Sequence, residues 1–432
     1  MSSLKIACCT WNVHGTSPPK EDLRELLHLY DDKPLPDVVA VGLQEVEVRP
    51  HSFVVEMIQE NRWVQVLQDY LGYYGLVRVR SLRMLGMIIV VAVQARHLPY
   101  LREIKTGFVR TAVMGWLGTK GAVAVRFVIH GQSFCFINCH FTAHLDGTRQ
   151  RNSNFESVLK YMKFPDVKAA TVMEHDFVAV LGDLNYRIDE VSIEDVKTKV
   201  ASGDLVSLKN HDQLLKSMSV EEVYKGFFEH EISFQPTYKY CLGSNDWDAS
   251  DLKRKPAWCD RILWHEATQG RTSVTSYTSH PRHTTSDHHP VSAECTASID
   301  SLETNQDSRI VWKLEIESMP WYGNDDGLCV YVVKDYKPYS WDWIGLYRLG
   351  WQHFTDYEMY EWAVGDGDEY GENGCAVLFD CLPEEPGLFQ LCYFSYKQDC
   401  FIAMSEPFEI LKPRDEDVDP VQVNIEKPSL TV

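Results

Sequence analysis

The chain has 432 residues, 44% of them hydrophobic and 24% charged, and carries a formal net charge of −20 at pH 7. That length exceeds one ordinary core and predicts two domains or three; the apolar share excludes a chain disordered throughout. The acidic balance excludes nonspecific nucleic-acid binding, because neutralising phosphates needs the opposite sign. The charge is uneven: residues 301–432 hold 9 Lys and Arg against 26 Asp and Glu, leaving a net of −3 on residues 1–300. The amino-terminal part can therefore hold a local basic pocket. No run of eighteen apolar residues occurs, and Met1-Ser2-Ser3-Leu4-Lys5 lacks the stretches of a signal peptide, so a soluble intracellular protein without a transmembrane segment is expected. The twelve cysteines are scattered without a CxxC pair and are predicted to be reduced and mostly buried.

Residues 4–10 read as a strand that delivers Trp11-Asn12 at its end. Leucines at helical spacing predict a helix over 21–30, stopped by Pro34 and Pro36. A second strand, 37–43, ends at Gln44-Glu45, and an apolar stripe over 53–71 predicts a helix on the sheet. Residues 87–93 and 121–129 are strongly strand-like. Between them a glycine-punctuated loop holds Met114, Trp116 and Lys120. Its residues 113–117 either dip into lipid or pack in the core.

A strand over 133–139 ends at His140; Arg149 to Asn154 follow, then a helix from about 155 to 163. The run Val178-Ala179-Val180-Leu181 is a buried strand after which Gly182 lets the backbone turn. Asp183 and Asn185, two apart, then point the same way from an extended segment. A largely helical insertion covers roughly 192–228. Residues 258–264 begin another strand, and Ser286-Asp287-His288 precede the last strand of this part, 291–295. Alternating strands with few long helices predict a sheet sandwich flanked by helices.

Asn12, Glu45, His140, Asp183, Asn185, Asp260, Asp287 and His288 all lie within a residue or two of a predicted strand end. Loops gather there, and solvated polar residues would not favour strand rims. Hard oxygen ligands such as Glu45, with Asn12 and water, suit magnesium rather than zinc. His288, with a carboxylate to orient it, can sit as an imidazolium beside an anion. Asp183 can orient or deprotonate a water, and the set serves attack of water on a phosphoryl centre.

Trp11-Asn12, Gln44-Glu45, His140 with His144, the segments 182–187 and 256–263, and Ser286-Asp287-His288 resemble the inositol polyphosphate 5-phosphatases, in family order across residues 4–296. The wider superfamily includes DNase I, abasic-site endonucleases and neutral sphingomyelinases. The resemblance implies an α+β, four-layer DNase I-like (endonuclease/exonuclease/phosphatase) sandwich over 1–298. It also implies a Mg2+-dependent enzyme that removes the 5-phosphate of phosphatidylinositol 4,5-bisphosphate and 3,4,5-trisphosphate at a membrane surface. Glu45, aided by Asn12, would bind the metal; Asp183 and Asn185 would position the water; His140 and His288 would hold the scissile phosphate. Asp260 would orient His288, and Asp287 would sit near the metal. Tyr238, Lys239, Lys253 and Lys255 fall where the family grips the 4-phosphate, and Lys120, Arg151, Asn152 and Arg187 are further phosphate candidates. Three departures stand out. Lys255 replaces a common arginine, making a bidentate grip a point charge; Thr119 replaces an asparagine; and Val180-Leu181 replaces an aromatic pair, with altered packing expected rather than a dead site.

After a linker at 299–308, short strands separated by Gly, Asp and Pro (310–315, 328–333, 341–347, 388–394) predict an all-β, immunoglobulin-like sandwich over 309–411, followed by a disordered acidic tail over 412–432. Trp343-Ile344-Gly345-Leu346-Tyr347, Glu361-Trp362-Ala363 and Leu391-Cys392-Tyr393 resemble the SKICH domain. That resemblance implies a cytoplasmic enzyme recruited to membrane ruffles or the endoplasmic reticulum through protein partners. The competing readings are a catalytically weak adaptor and, against the acidic total, a nuclease or sphingomyelinase of the same fold.

Overall fold

The computed structural model describes residues 2–47, 61–111, 120–220, 222–250, 254–300, 311–317, 319–333, 336–364, 375–398 and 400–414. These pack as two units, one drawn from 1–310, 350–356 and 395–402, the other from 311–349, 357–394 and 403–414. The expected lipid-facing loop 113–117, Thr119, Lys253, most of the linker and most of the tail lie outside the described residues.

The first unit holds twelve strands: β1 Ser2–Asn12, β2 Val38–Gln44, β3 Leu76–Met84, β4 Met87–Gln94, β5 Leu101–Arg110, β6 Gly121–Ile129, β7 Gln132–His140, β8 Phe177–Asp183, β9 Phe227–Glu229, β10 Asp260–Glu266, β11 Thr272–Ser279 and β12 Val291–Ile299. They form two six-stranded sheets, β11-β12-β1-β2-β4-β3 and β5-β6-β7-β8-β10-β9. The central strands β2, β7 and β8 are buried along their whole length, as continuous apolar runs require. Edge strands β3, β5 and β11 escape the sequence reading because they are half-exposed and interrupted by Arg, Lys, Ser or Thr.

Helix α1 (Arg62–Tyr73) is capped by the Asn61 side chain, which accepts from the Trp63 amide, and buries Trp63, Val64, Leu67 and Leu71 at helical spacing. It starts later than expected, and 48–60 are not described. The helix expected over 21–30 is absent: the segment forms turns, with His28 at φ 56° breaking the helical path. Helix α2 (Thr148–Tyr161) starts earlier than expected and takes in Arg151 and Asn152. The predicted insertion holds α3 (Ile193–Ser202), α4 (Leu205–Lys209) and α5 (Gln213–Val220).

Pairing brings the polar strand ends together. Parallel β1 and β2 align Asn12 with Gln44; parallel β7 and β8 align His140 with Asp183; antiparallel β10 sets Asp260 opposite Asp183. Each central sheet thus presents its functional residues at the same rim. A buried staple joins the sheets just beneath. Asn138 donates from Nδ2 to the carbonyls of Leu43 (2.9 Å) and Ile88 (2.8 Å), and its Oδ1 accepts from Gln44 Nε2 at 2.6 Å. Gly182 sits at φ 149°, where a Cβ would meet the Cys139 carbonyl oxygen at 2.0 Å, so no other residue fits at this bend.

The chain after residue 310 has β13 Val311–Glu317, β14 Trp321–Tyr322, β15 Gly327–Val333, β16 Trp343–Arg348, β17 Tyr357–Trp362, β18 Cys375–Phe379, β19 Gly387–Ser395, β20 Cys400–Met404 and β21 Phe408–Leu411. They make a β13-β15-β18 sheet and a β14-β21-β19-β16-β17 sheet with β20 on β19, the all-β sandwich its turn residues predict. The twelve cysteines form no disulfide with one another, and all but Cys241, Cys375 and Cys381 are buried.

Candidate active site

Asp183 is the hub. Its Oδ2 accepts from Asn12 Nδ2 at 3.0 Å and lies 3.3 Å from His140 Nε2, while Oδ1 accepts the Asn185 amide at 3.0 Å. Burial works against its charge, but the hydrogen bond from His140 and the positive charges of His288, His140 and Lys120 hold its carboxyl far below the usual range. Beside it, His288 Nδ1 is 2.8 Å from Asp260 Oδ2, which also accepts from Thr237 Oγ1 at 2.7 Å. Burial opposes the imidazolium; the Asp260 charge outweighs it and pushes the His288 pKa up to about 9. The ring is fixed further by Trp11 Nε1 donating to the His288 carbonyl at 3.0 Å, and Ser286 Oγ ties this segment to the Asn12 carbonyl at 2.6 Å.

Glu45 stands at the mouth. Its side chain is 41% exposed, with Oε1 3.7 Å from His140 Nε2. Lys120 Nζ contacts His140 Nε2, and burial lowers its own pKa. On the other side Lys239 Nζ pairs with Asp287 Oδ2 at 3.0 Å, and the Arg187 guanidinium bonds Asn185 Oδ1 and lies 4.3 Å over the Tyr238 ring. Tyr238 in turn packs on the His288 ring, 4.6 Å between centroids. Glu45, Asn185 and His14 have φ of 54°, 59° and 48°, strained for residues with side chains, and such strain concentrates at functional sites.

All eight strand-rim residues therefore converge, and Lys120, Arg187, Tyr238 and Lys239 join them. Lys255 sits one shell out, donating to the Ile188 carbonyl at 3.1 Å. Arg151 and Asn152 depart from the phosphate-binding expectation. Because α2 starts early, Arg151 is fully buried, donating to the carbonyls of Thr142 (3.1 Å) and His144 (2.7 Å), and Asn152 Oδ1 accepts from Tyr186 at 2.7 Å. Arg151 braces the loop after His140, and Asn152 holds Tyr186 in the segment after Asp183. Sequence reasoning missed Thr237 and His14. His14 Nδ1 lies 3.4 Å from Asp287 Oδ1 and 3.6 Å from Glu45 Oε2. Its one sequence signal is that it follows Asn12 by two; Thr237 gives none.

A hard divalent cation fits these donors. Asp287 Oδ1 and Asp260 Oδ1 are buried with no hydrogen-bond partner among the described residues, and Glu45 and Asn12 offer oxygen. The tightest cluster of potential ligand atoms among the described residues, within 4.8 Å of one another, is Asp183, Asp260 and His288. Within it His288 Nδ1 and Asp260 Oδ2 are already engaged with each other at 2.8 Å.

Two family profiles match in tandem, endonuclease/exonuclease/phosphatase family 2 over residues 9–294 and the SKICH domain over 316–410. The chain is 32% identical to mouse inositol polyphosphate 5-phosphatase K over 94% of its own length and 90% of that protein's. The chain belongs to the SKICH-containing inositol polyphosphate 5-phosphatases. Within this 5-phosphatase family it is also 36% identical to human phosphatidylinositol 4,5-bisphosphate 5-phosphatase A over 95% of its own length, spanning 42% of that longer relative. Among solved structures it resembles the 5-phosphatase domain of a synaptojanin in complex with inositol (1,4)-bisphosphate and a calcium ion, with a TM-score of 0.59 and 30% identity over 68% of this chain and 84% of that one.

Proposed function

We propose that this chain is a Mg2+-dependent phosphatase that removes the 5-phosphate of phosphatidylinositol 4,5-bisphosphate and phosphatidylinositol 3,4,5-trisphosphate, with soluble inositol polyphosphates as further substrates. The observation that carries this reading is the set of cationic side chains Lys120, Arg187 and His288 about Asp183, with Lys239 beside them on Asp287, in a protein whose net charge is −20. An anionic substrate with several phosphates is what such a pocket attracts. The synaptojanin domain's bound inositol bisphosphate and the names of the relatives support the same substrate class.

In this mechanism His140, Lys120 and Arg187 hold the scissile phosphate, and the His288 imidazolium, kept charged by Asp260, offsets charge on its oxygens. Magnesium held by Glu45 and Asn12 would add Lewis-acid stabilisation of the same oxygens. Asp183 has too low a pKa to be a strong base, so it aligns the attacking water by accepting its hydrogen bond. A loose phosphoryl transition state asks little more of it. Lys239 grips the neighbouring 4-phosphate, with Lys255 behind it.

The SKICH unit recruits the enzyme, a cytoplasmic protein, to plasma-membrane ruffles or the endoplasmic reticulum through protein partners, where it dampens PI3-kinase signalling. The surplus of Asp and Glu over 301–432 supports partner binding over direct adhesion to an anionic leaflet. The deciding experiment is phosphate release from vesicles of phosphatidylinositol 4,5-bisphosphate, with magnesium and with chelator. Formation of the 4-monophosphate, lost on Asp183→Ala, supports the reading. Absence of release there and from the trisphosphate lipid refutes it and leaves the adaptor role.

A further inference from the structure

We propose that Asp248 is a positioning residue for recognition of the phosphate next to the scissile one: its carboxylate sets the spacing between Lys239 and the basic run at 254–255. The inference rests on the reading of the chain as a phosphatase of 4,5-bisphosphorylated inositides, and it concerns a residue outside the catalytic set. Lys253-Arg254-Lys255 puts three like charges side by side in a loop, and such a run spreads into solvent unless its backbone is tied down.

Asp248 supplies the tie. It is 6% exposed, and its Oδ2 accepts the Arg254 amide at 3.0 Å and the Ser250 hydroxyl at 3.0 Å, while Oδ1 accepts the Ser250 amide at 3.0 Å. On its other side the Asp248 amide donates to the Lys239 carbonyl at 3.0 Å. One residue therefore spans from the segment that carries Lys239 to the segment that carries Lys255. Burial works against the charge of Asp248, yet the Arg254 and Ser250 amides, the Ser250 hydroxyl and the charge of Lys239 hold its carboxyl below the usual carboxylate range, so the bonds it accepts are charge-assisted.

Both ends of the span reach the pocket. Tyr238 exchanges backbone hydrogen bonds of 3.2 and 2.8 Å with Ala257, two residues past Lys255, and Tyr240 donates its amide to the Asp287 carbonyl at 3.0 Å. The Tyr240 ring is stacked between His289 and Trp247, at 3.7 and 4.4 Å between centroids. Lys239, between the two tyrosines in the chain, places its Nζ on Asp287, and Lys255 Nζ reaches the carbonyl of Ile188, next to Arg187. A lysine is a point charge on a flexible stem, so its place depends on its backbone. Loss of the Asp248 carboxylate frees the backbone at 254–255 and lets the two lysines drift apart, while Asp183 keeps its bond from Asn12 and Asp260 keeps those from Thr237 and His288.

The test is steady-state hydrolysis of phosphatidylinositol 4,5-bisphosphate in detergent micelles by the full chain and by Asp248→Ala and Asp248→Asn, with inositol 1,4-bisphosphate and inorganic phosphate as inhibitors. The bisphosphate carries the neighbouring phosphate; inorganic phosphate reports on the scissile position alone. Asp248→Ala should raise KM and weaken inhibition by the bisphosphate about tenfold, as loss of charge-assisted bonds does. Its kcat and its inhibition by inorganic phosphate should change less than about twofold, because the groups made for the transition state stay in place. Asp248→Asn keeps the side-chain volume and one acceptor oxygen, and should show the same split at intermediate size, readable even if Asp248→Ala does not fold. A fall in kcat at unchanged KM, or equal weakening of both inhibitors, makes Asp248 a fold residue only and overturns the proposal. Unchanged KM and unchanged inhibition also overturn it. A parent chain that releases no phosphate refutes the phosphatase reading and the proposal with it.

Discussion

His288 Nδ1 and Asp260 Oδ2 lie 2.8 Å apart and are almost wholly buried, so against burial the imidazolium at the heart of the pocket owes its charge first to Asp260, with Asp183 and Asp287 adding to it. With that partner the His288 pKa stands at about 9, and without it burial is opposed only by the charges of Asp183 and Asp287, so the pKa falls. Asp260→Asn should therefore lower kcat by about 10²–10⁴-fold with a smaller change in KM. It should also move the alkaline limb of the pH–rate profile from near 9 to lower pH. A profile whose alkaline limb does not move would show that His288 acts in its neutral form.

Glu45 is an exposed carboxylate of the pocket, with His140 Nε2 3.7 Å from its Oε1 and His14 Nδ1 3.6 Å from its Oε2. Glu45→Gln should raise the magnesium concentration needed for half-maximal activity by at least about tenfold, and His14→Ala should raise it by a smaller factor. Manganese binding followed by electron paramagnetic resonance reads the same change without turnover. Unchanged affinity in both variants would move the metal away from Glu45.

The rim residues were legible because each one interrupts an apolar run, and pairing in register then leaves them no place but a common edge. Asn12, Glu45, His140, Asp183 and Asp260 are of this kind. Arg151 was misread because its meaning depends on where α2 begins; seven residues of extra helix turn it from a phosphate ligand into a brace for carbonyls. The helix expected over 21–30 failed at His28, whose left-handed backbone is set by tertiary contact with Ser292, 2.8 Å away and far along the chain. Thr237 was invisible because its partner Asp260 is reached only through the fold. The edge strands β3, β5 and β11 carry too little alternation for a period-two pattern to register.

The guanidinium of Arg261, next to Asp260 in β10 but on the other face, is enclosed with Asp212 at 2.9 and 3.1 Å and Glu229 at 2.7 Å, and Tyr277 donates to Glu229 at 2.8 Å. Arg261→Met leaves two carboxylates buried without a counter-charge and should cost about 3–5 kcal/mol of stability. Urea unfolding measures this. A loss under about 1 kcal/mol would mean that water reaches the network.

Acid should unfold the first unit well above the carboxylate range, for reasons that lie in its histidines. His28 and His280 both point Nε2 at Ser292 Oγ, at 2.8 and 2.7 Å, and burial lowers their pKa from 6.5 to about 4 and about 3. Between pH 6.5 and those values the unfolded chain binds protons that the folded chain refuses, so unfolding takes up protons and stability falls as pH falls. Each histidine contributes a slope of up to about 1.4 kcal/mol per pH unit inside its window and nothing above pH 6.5, where both states are neutral. His280→Gln removes one of the two protons from this balance. Its stability at pH 7.5 falls with the lost bond to Ser292, yet its decline between pH 6.5 and 4 should be shallower than in the parent. Parallel curves for parent and variant would mean that His280 is already protonated in the folded chain.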